Sequence, residues 1–327
     1  MKKILLIFII LILFVFLLLV LFWKIEYNPL AGFSRWNLEG TVIENQQDTN
    51  QNPDIIQLSN NCFRLYSHGT GTGSDGLMNI YSYKSCNGLN WEFEGERIHR
   101  AAMPAAILED DGKIRLYFQR GFENDKQQAL MMAISDDGLN FEVEKMPLLV
   151  TGQGELEGIK TIAHFEIIKL DKGYRMYFDE GGLVPSDFEK YKNENWTWPV
   201  WRIRSLYSED GLNWVLDTGV RIDYEQEPLK YMQRAGSCAV IKEGNLYHMY
   251  FVAGFSPWED LKQWRRWSWS GIYEAISENG LDWKIVDKNI FDKGTDPKIL
   301  RMGDEIRIYI SEGHREGGNS IDSYLKK

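Results

Sequence analysis

The sequence is poor in cysteine and has no surplus of basic residues, and both shortages exclude classes of protein. Three cysteines in 327 residues are too few for a disulfide scaffold, and none has metal-type spacing. The formal net charge of −10 argues against an electrostatic surface for nucleic acid. No phosphate-binding loop, nucleophile elbow or zinc motif occurs. We therefore expect no cofactor, no metal site and no nucleic-acid partner.

Long hydrophobic runs are also absent, with one exception near the N-terminus. Residues 4–23 are twenty apolar residues without a charge, long enough to cross a bilayer as a helix. No small-residue cleavage site follows them, as a signal peptide would require. Lys2 and Lys3 precede the run, while Lys24 after it is offset by Glu26, which favours a cytoplasmic N-terminus. We predict a cytoplasmic segment at 1–3, a single-pass signal anchor at 4–23, a linker at 24–32 and an extracytoplasmic domain at 33–327.

A hairpin signature recurs along the rest of the chain. It consists of Ser, any residue, Asn-Gly or Asp-Gly, and an aromatic residue three positions after the glycine. Such dipeptides between strand-like runs are strong hairpin signals. The four copies are residues 85–98, 135–149, 208–222 and 277–291, with aromatics Trp91, Phe141, Trp214 and Trp283. We interpret the recurring ring as packing between neighbouring repeats.

A second signature occurs five times, with Arg or His two residues before a tyrosine. The tyrosines are Tyr66, Tyr117, Tyr177, Tyr250 and Tyr309. An apolar run precedes each of them, at 52–58, 103–108, 164–170, 237–241 and 296–300. The repeating unit is therefore strand A, tight turn, strand B, variable loop, strand C, Asn/Asp-Gly turn and strand D. Four antiparallel strands per repeat describe a β-propeller blade.

Five A–B hairpins and only four C–D hairpins leave one blade a strand short. The segment 33–45 contains RWNLEGTVI, which matches NWEFEGERI of the first C–D hairpin and aligns Trp36 with the repeat tryptophans. We predict an all-β, five-bladed β-propeller over 33–327, closed by this N-terminal strand and preceded by the single transmembrane helix.

The B–C loops lie at one end of the predicted propeller, where binding residues concentrate on a rigid scaffold. Two of them, 179–201 and 253–271, contain seven of the twelve tryptophans. These are Trp196, Trp198, Trp201, Trp258, Trp264, Trp267 and Trp269. Their rings either pack the two loops onto each other or offer flat faces to sugar rings.

The A strands begin at the same end, and the first and third residues of a strand point the same way. The pairs are Asn52/Asp54, Met103/Ala105, His164/Glu166, Ser237/Ala239 and Asp296/Lys298. Charged residues near them in sequence include Arg100, Glu157, Asp179, Arg234 and Glu312. Carboxylates, cations and aromatic walls in one funnel suit a polyhydroxylated ligand, so we expect an oligo- or polysaccharide partner. We assign substrate binding to Asn52, Arg100, Asp179, Arg234, Trp196, Trp198, Trp201, Trp258 and Glu312.

This organisation resembles the five-bladed propeller superfamily of arabinanases, levansucrases and invertases, including glycoside hydrolase families 43 and 32. The resemblance covers 33–327 and rests on the hairpins, the S-x-[DN]-G-x-x-[WF] turns and the Asp-Pro-type openings. It implies a blade 1 Asp as base or nucleophile, a blade 2 Asp that tunes it, and a blade 3 Glu as general acid. Here the openings read Asn52-Pro53-Asp54, Met103-Pro104-Ala105, His164-Phe165-Glu166 and, in blade 5, Asp296-Pro297.

Glycoside hydrolysis requires one protonated carboxyl and one carboxylate. Our hypothesis takes Glu166, or failing that Glu157, as the acid and Asp54 as the base, with His164 and Asp296 setting their pKa values. A sugar-binding or polysaccharide-assembly protein without catalysis is an alternative, because blade 2 lacks the acid. A protein-interaction scaffold that uses the tryptophan-rich loops is another.

Cys62 begins a predicted strand B and Cys86 ends the following strand C. Each lies twelve residues from Ser74, so the two are placed either to form a cross-strand disulfide or to remain independent thiols. A disulfide would fit an oxidising compartment. Cys238 has no evident partner.

Overall fold

The structure is a computed structural model that describes residues 35–44, 51–58, 61–70, 77–122, 127–183, 200–224, 226, 229, 234–254, 270–291, 294–313 and 319–326. The predicted anchor (4–23) and linker (24–32) lie outside these residues. Among the described residues, no helix is long and apolar enough to cross a membrane. Residues 38–326 form one compact unit.

The described residues form β-strands and one short 3-10 turn at Gly154–Leu156, which confirms the all-β prediction. The strands are β1 (Trp36–Ile43), β2 (Gln51–Gln57), β3 (Phe63–Gly69), β4 (Asn79–Ser85), β5 (Glu92–Ile98), β6 (Ala102–Leu108), β7 (Ile114–Phe122), β8 (Gln127–Ser135), β9 (Glu142–Val143), β10 (Leu149–Val150), β11 (Thr161–Lys169), β12 (Tyr174–Leu183), β13 (Val200–Ser208), β14 (Val215–Leu216), β15 (Arg234–Glu243), β16 (Leu246–Gly254), β17 (Ser270–Ser277), β18 (Lys284–Phe291), β19 (Thr295–Met302), β20 (Glu305–Gly313) and β21 (Asn319–Lys326).

The five predicted A–B hairpins are all formed, and we number the repeats 1 to 5 by them. They are β2–β3, β6–β7, β11–β12, β15–β16 and β19–β20. Each has the same register, with the third residue of the apolar run predicted from the sequence opposite the tyrosine of strand B. The pairs are Asp54–Tyr66, Ala105–Tyr117, Glu166–Tyr177, Ala239–Tyr250 and Lys298–Tyr309.

The sheets continue outward from these hairpins. Repeat 1 is the sheet β2-β3-β4-β5, and repeat 2 is β6-β7-β8 with β9 and β10 on β8. Repeats 3 and 4 form one continuous path, because a single parallel bridge from Trp201 to Arg234 joins β13 to β15. Repeat 5 is β19-β20-β21, and β1 adds its fourth strand. The first strand of the chain is thus in the same sheet as the last.

The first strands of the five repeats pack side by side. Strand β2 contacts β6 and β19, while β11 contacts β6 and β15, and β15 contacts β19. Their N-terminal ends therefore come together, and these ends are where the sequence places the candidate site.

The recurring tyrosine connects each repeat to the next. Tyr66 Oη donates a hydrogen bond of 3.0 Å to the carbonyl of Gly138 in repeat 2, and its ring meets Phe141 edge to face at 5.8 Å. Equivalent contacts join Tyr117 to Gly211 and Trp214, Tyr177 to Gly280 and Trp283, and Tyr309 to Gly88 and Trp91. The aromatic position of the hairpin signature packs between neighbouring repeats, as the sequence indicated.

Repeat 4 is the exception, and its sequence differs at the same point. Repeat 5 has no S-x-[DN]-G turn for Tyr250 to reach, and repeat 4 is also the one in which His248 replaces the arginine of the signature. Both side chains turn to Glu274 instead, with His248 Nδ1 at 2.9 Å and Tyr250 Oη at 3.1 Å from Oε1. In repeat 1, by contrast, Arg64 Nη1 donates to the turn carbonyl of Asp137 at 2.6 Å.

Strand β1 makes the contacts in repeat 5 that β5 makes in repeat 1. Glu39 accepts hydrogen bonds from Arg307 at 2.8 and 3.1 Å and from Ser323 Oγ at 2.8 Å. The matching contacts in repeat 1 join Glu94 to Arg64 at 2.8 and 2.9 Å and to Ser82 at 3.0 Å. The alignment of RWNLEGTVI with NWEFEGERI therefore corresponds to equivalent side-chain contacts.

A disulfide joins Cys62 to Cys86, while Cys238 is a buried free thiol. The bond links the start of β3 to the end of β4 within repeat 1. Of the two possibilities that the sequence left open, the structure has the cross-strand disulfide.

Candidate functional site

All five A strands contain the same backbone irregularity. In each, a β-bulge interrupts the register with strand B just before the second residue of the predicted pair. The first residue of each bulge is left-handed although it is not glycine: Asn52 (φ 48°), Met103 (φ 57°), His164 (φ 49°), Ser237 (φ 47°) and Asp296 (φ 51°). Such residues are uncommon and cluster where backbone strain serves a site. The repeated strain indicates that the candidate functional site is at this end of the strands.

The bulges surround a pocket that takes its lining from all five repeats. The lining is Asn52, Pro53, Asp54, Met103, Pro104, His164, Phe165, Glu166, Ser237, Cys238, Asp296, Pro297 and Lys298. Its cavity volume is about 20 Å³, room for about one water molecule. The structure thus brings together Asn52, Asp54, His164, Glu166 and Asp296, five of the residues proposed from the sequence.

The base of the pocket is a buried ion cluster that crosses between repeats. Lys298 of repeat 5 reaches Asp54 Oδ1 of repeat 1 and, at 2.6 Å, Glu166 Oε2 of repeat 3. The exposed fractions of the three side chains are 11, 4 and 5%. Repeats 2 and 4 have alanine at the equivalent positions, Ala105 and Ala239, which leaves space for the lysine. The sequence reading placed Lys298 on the rim without a role.

Each carboxylate also accepts a backbone N–H from the neighbouring repeat. Asp54 Oδ2 accepts from Ala106, and Glu166 Oε1 accepts from Val240 at 3.1 Å. Burial raises the pKa of Glu166 to about 6; the Lys298 charge opposes this rise and the Asp54 charge adds to it. Burial by itself would lower the pKa of Lys298, but the two carboxylates outweigh it and raise that pKa.

A second polar cluster lies beside the first and centres on Asp179, which is fully buried. Its Oδ2 lies 2.8 Å from His164 Nδ1, and its two oxygens accept the backbone N–H of Ser237 at 2.8 and 3.0 Å. Arg234 Nη2 lies 3.8 Å from Oδ2 and donates to Ser237 Oγ at 2.5 Å. Gly236 is required here, because a Cβ at this position would overlap the Asp179 carboxylate.

The other nitrogen of His164 is directed towards Asp296. Nε2 lies 3.7 Å from Asp296 Oδ1, and Asp296 Oδ2 accepts from Thr295 Oγ1 at 3.0 Å. Next to both is His68, which the sequence analysis missed. Its Nδ1 accepts the N–H of Met103 at 3.0 Å, and burial lowers its pKa to about 4, with the Asp296 charge opposing this shift and the His164 charge adding to it. The available signal was its position two residues after Tyr66, equivalent to Asp179 in repeat 3.

Several further predicted residues that the structure describes lie outside the pocket lining. Glu157 follows the 3-10 turn and is exposed. Arg100 is also exposed, and its backbone N–H is bound by Asn79 Oδ1 at 2.9 Å. Glu312 pairs in register with Ser320 on β20 and β21. Trp201 packs on Gly181 of β12, since a Cβ there would overlap its ring. Trp196, Trp198 and Trp258 lie outside the described residues.

In the described part of the chain, no three His, Cys, Asp or Glu side chains are grouped as metal ligands would be.

No protein-family model and no curated protein matches this sequence. Solved structures do match its fold. BT0996, in a complex with RGII, is 12% identical with a TM-score of 0.67, over 90% of this protein and 93% of that one. A thermostable family-43 glycoside hydrolase is 16% identical with a TM-score of 0.62, over 91% of both proteins. The GH32 β-fructofuranosidase BmSUC1 of Bombyx mori is 12% identical with a TM-score of 0.63, over 90% of this protein and 63% of that one.

The chain has the propeller fold of the glycoside hydrolases. This confirms the resemblance to families 43 and 32 at the level of architecture. At such low identities the likeness carries the fold alone, so the function depends on the side chains of the pocket.

Proposed function

We propose that this protein is carbohydrate-active and cleaves or transfers glycosidic linkages of an oligo- or polysaccharide at the pocket between the five strand openings. The observation that carries this proposal is the convergence of Asp54 and Glu166 on one ammonium group. Because both carboxylates contact one nitrogen, their contacting oxygens lie no more than roughly 5 Å apart, near enough to act on one glycosidic bond.

Glycosidic chemistry requires one carboxyl group that keeps a proton near neutral pH. Glu166, with its pKa raised to about 6 by burial, is the candidate acid for protonating the leaving oxygen. Asp54 is the candidate base or nucleophile. His164 and Asp296 line the same pocket, and we assign them to contact with the substrate.

The proposal also includes the architecture and the location of the protein. Five repeats with mutually packed first strands, and the equivalence of β1 to β5, support a five-bladed propeller closed by the N-terminal strand. The apolar run 4–23 and the Cys62–Cys86 disulfide support a single-pass membrane anchor with the propeller on the extracytoplasmic side. A periplasmic-type reporter fused to the C-terminus, active only outside the cytoplasm, tests this orientation.

Saccharide binding without turnover is the second candidate, and Lys298 favours it. The ammonium stands between the two carboxylates and neutralises part of their charge, in a cavity with room for about one water molecule. In this reading, the pocket sits below a sugar-binding surface and holds the repeats together.

A glycan-array screen of the full chain in detergent, followed by turnover assays on each bound saccharide, separates the two candidates. We expect Glu166→Gln and Asp54→Asn to reduce turnover at least 100-fold, and the exposed control Glu157→Gln to leave it unchanged. Full activity in both pocket variants would refute the assignment. Binding without turnover by the unsubstituted protein would establish the second candidate.

A further inference from the structure

The base of the proposed reaction is open to reassignment, because both oxygens of Asp54 are already engaged. Oδ1 contacts Lys298 Nζ, Oδ2 accepts the N–H of Ala106, and 4% of the side chain is exposed. A general base must reach the proton that it removes. The His164 ring lines the same pocket and is more exposed, at 16%.

The tautomer of His164 follows from the surroundings of Asp179. Apart from His164, the polar groups that contact this buried carboxylate among the described residues are donors, namely the N–H of Ser237 and the guanidinium of Arg234. An ionised carboxylate only accepts hydrogen bonds. The 2.8 Å contact is therefore an N–H donated by His164 Nδ1, and the lone pair of the neutral ring is on Nε2.

Nε2 and Asp296 Oδ1 are spaced to share a third group. Their separation of 3.7 Å is too long for a hydrogen bond between them. Among the described residues, Nε2 has no hydrogen-bond partner. An oxygen about 2.8 Å from each atom fits between them, and a water molecule suits both acceptors, because it can donate one O–H to each.

We propose that His164 and Asp296 form a water-binding site in which His164 is the general base for the attacking hydroxyl of that water. Asp296 orients that hydroxyl, and Asp179 is a positioning residue. The hydroxyl O–H bond breaks, its proton passes to Nε2, and its oxygen bonds to the anomeric carbon. The glycosidic bond to that carbon breaks, and the leaving oxygen takes up a proton from solvent. This inference rests on the proposed function and moves the role of base from Asp54 to His164, so that Asp54 acts by holding Lys298 and Glu166 in place.

The charged and titratable groups around His164 fit this role. Asp179 contacts Nδ1 and stabilises the imidazolium that forms, while Asp296 lies on the Nε2 side of the ring. Arg234 neutralises part of the Asp179 charge from β15. His68, from β3, is buried and already accepts the N–H of Met103 with Nδ1, so it is not a competing base.

The first test reads the tautomer and needs no substrate. In ¹⁵N-histidine spectra of the full chain, at a pH where the ring is neutral, the His164 signals are identified by their loss in His164→Gln. We expect the proton on Nδ1. In Asp179→Asn we expect it on Nε2, because the single amide oxygen is held by Ser237 and the amide NH₂ then faces Nδ1. A wild-type ring protonated on Nε2 would overturn the inference.

The second test uses whichever saccharide is turned over. We expect His164→Gln to lower kcat about 100-fold or more with KM changed only a few-fold, and exogenous imidazole to restore turnover in His164→Gly. His99→Gln, at an exposed position, is the matched control. Full turnover in His164→Gln would overturn this inference and leave the proposed function intact. If the unsubstituted protein turns over no saccharide, the proposed function and the base role both fail, and the tautomer then tests only the positioning by Asp179.

Discussion

Replacing Lys298 by methionine removes the only cation from the ion cluster of Lys298, Asp54 and Glu166. Methionine keeps much of the side-chain volume, so the change is chiefly electrostatic. Breaking a buried ion pair by removing one partner typically costs about 3–5 kcal/mol of unfolding free energy. We expect a loss in this range at pH 8, because two buried carboxylates then face each other across the pocket.

The loss should depend on pH with a definite sign. The pKa of Glu166 is raised by burial from 4.5 to about 6 in the folded protein, so its contribution to stability is full below pH 4.5 and is lost as the pH rises through about 6. The Lys298 charge opposes this rise, and its removal moves the folded pKa higher still. The variant should therefore differ from wild type less at pH 5, where Glu166 can take up a proton, than at pH 8.

Urea unfolding of the full chain in detergent, followed by tryptophan fluorescence at both pH values, measures these differences. Adding Glu166→Gln to Lys298→Met should recover part of the loss at pH 8, since one buried charge is removed. The matched control Lys169→Met breaks a half-exposed contact of 2.9 Å to Asp110 and should cost under about 1 kcal/mol. An equal loss at pH 5 and pH 8, or a loss no larger than that of the control, would refute the reasoning.

Two further predictions concern the contacts that hold repeats together. Gly138→Ala should destabilise the fold by about 1–3 kcal/mol, because φ is +71° and the new Cβ would overlap the side chains of Arg64 and Tyr66. The control is Gly112→Ala, where φ is +87° and the space around the new Cβ is open. Equal shifts of the thermal midpoint in the two variants would contradict the packing argument. Cys62→Ser should cost about 3 kcal/mol through loss of the disulfide to Cys86. Reducing agent should then lower the midpoint of wild type but not of the variant, and an unaffected wild type would count against a stabilising disulfide.

The hairpins could be predicted because their causes are local. Asn-Gly and Asp-Gly select the turn, and alternation of apolar residues selects the face, so the register between Asp54 and Tyr66 follows from neighbouring residues. The equivalence of Glu39 to Glu94 could also be predicted, since it depends on a nine-residue match in the sequence.

The pairings within the pocket could not be predicted in this way. Lys298 meets Glu166 across 132 residues of sequence, and nothing in the residues around either specifies the other. Asp179 was proposed from the sequence as a substrate ligand, but its burial beneath His164 and the backbone of Ser237 gives it a different set of contacts. These contacts depend on which strands become neighbours.

The sequence by itself determined the repeating strand pairs, the turn chemistry, the aromatic contacts between repeats and the residues that open each first strand. Only the tertiary structure decided which of those openings hold charges in contact, and that the carboxylates of repeats 1 and 3 share a lysine from repeat 5. The physical reason is the separation along the chain over which each kind of interaction acts. Turn and pleat preferences act over a few residues, whereas an ion cluster at the meeting point of five strands exists only once all five have packed.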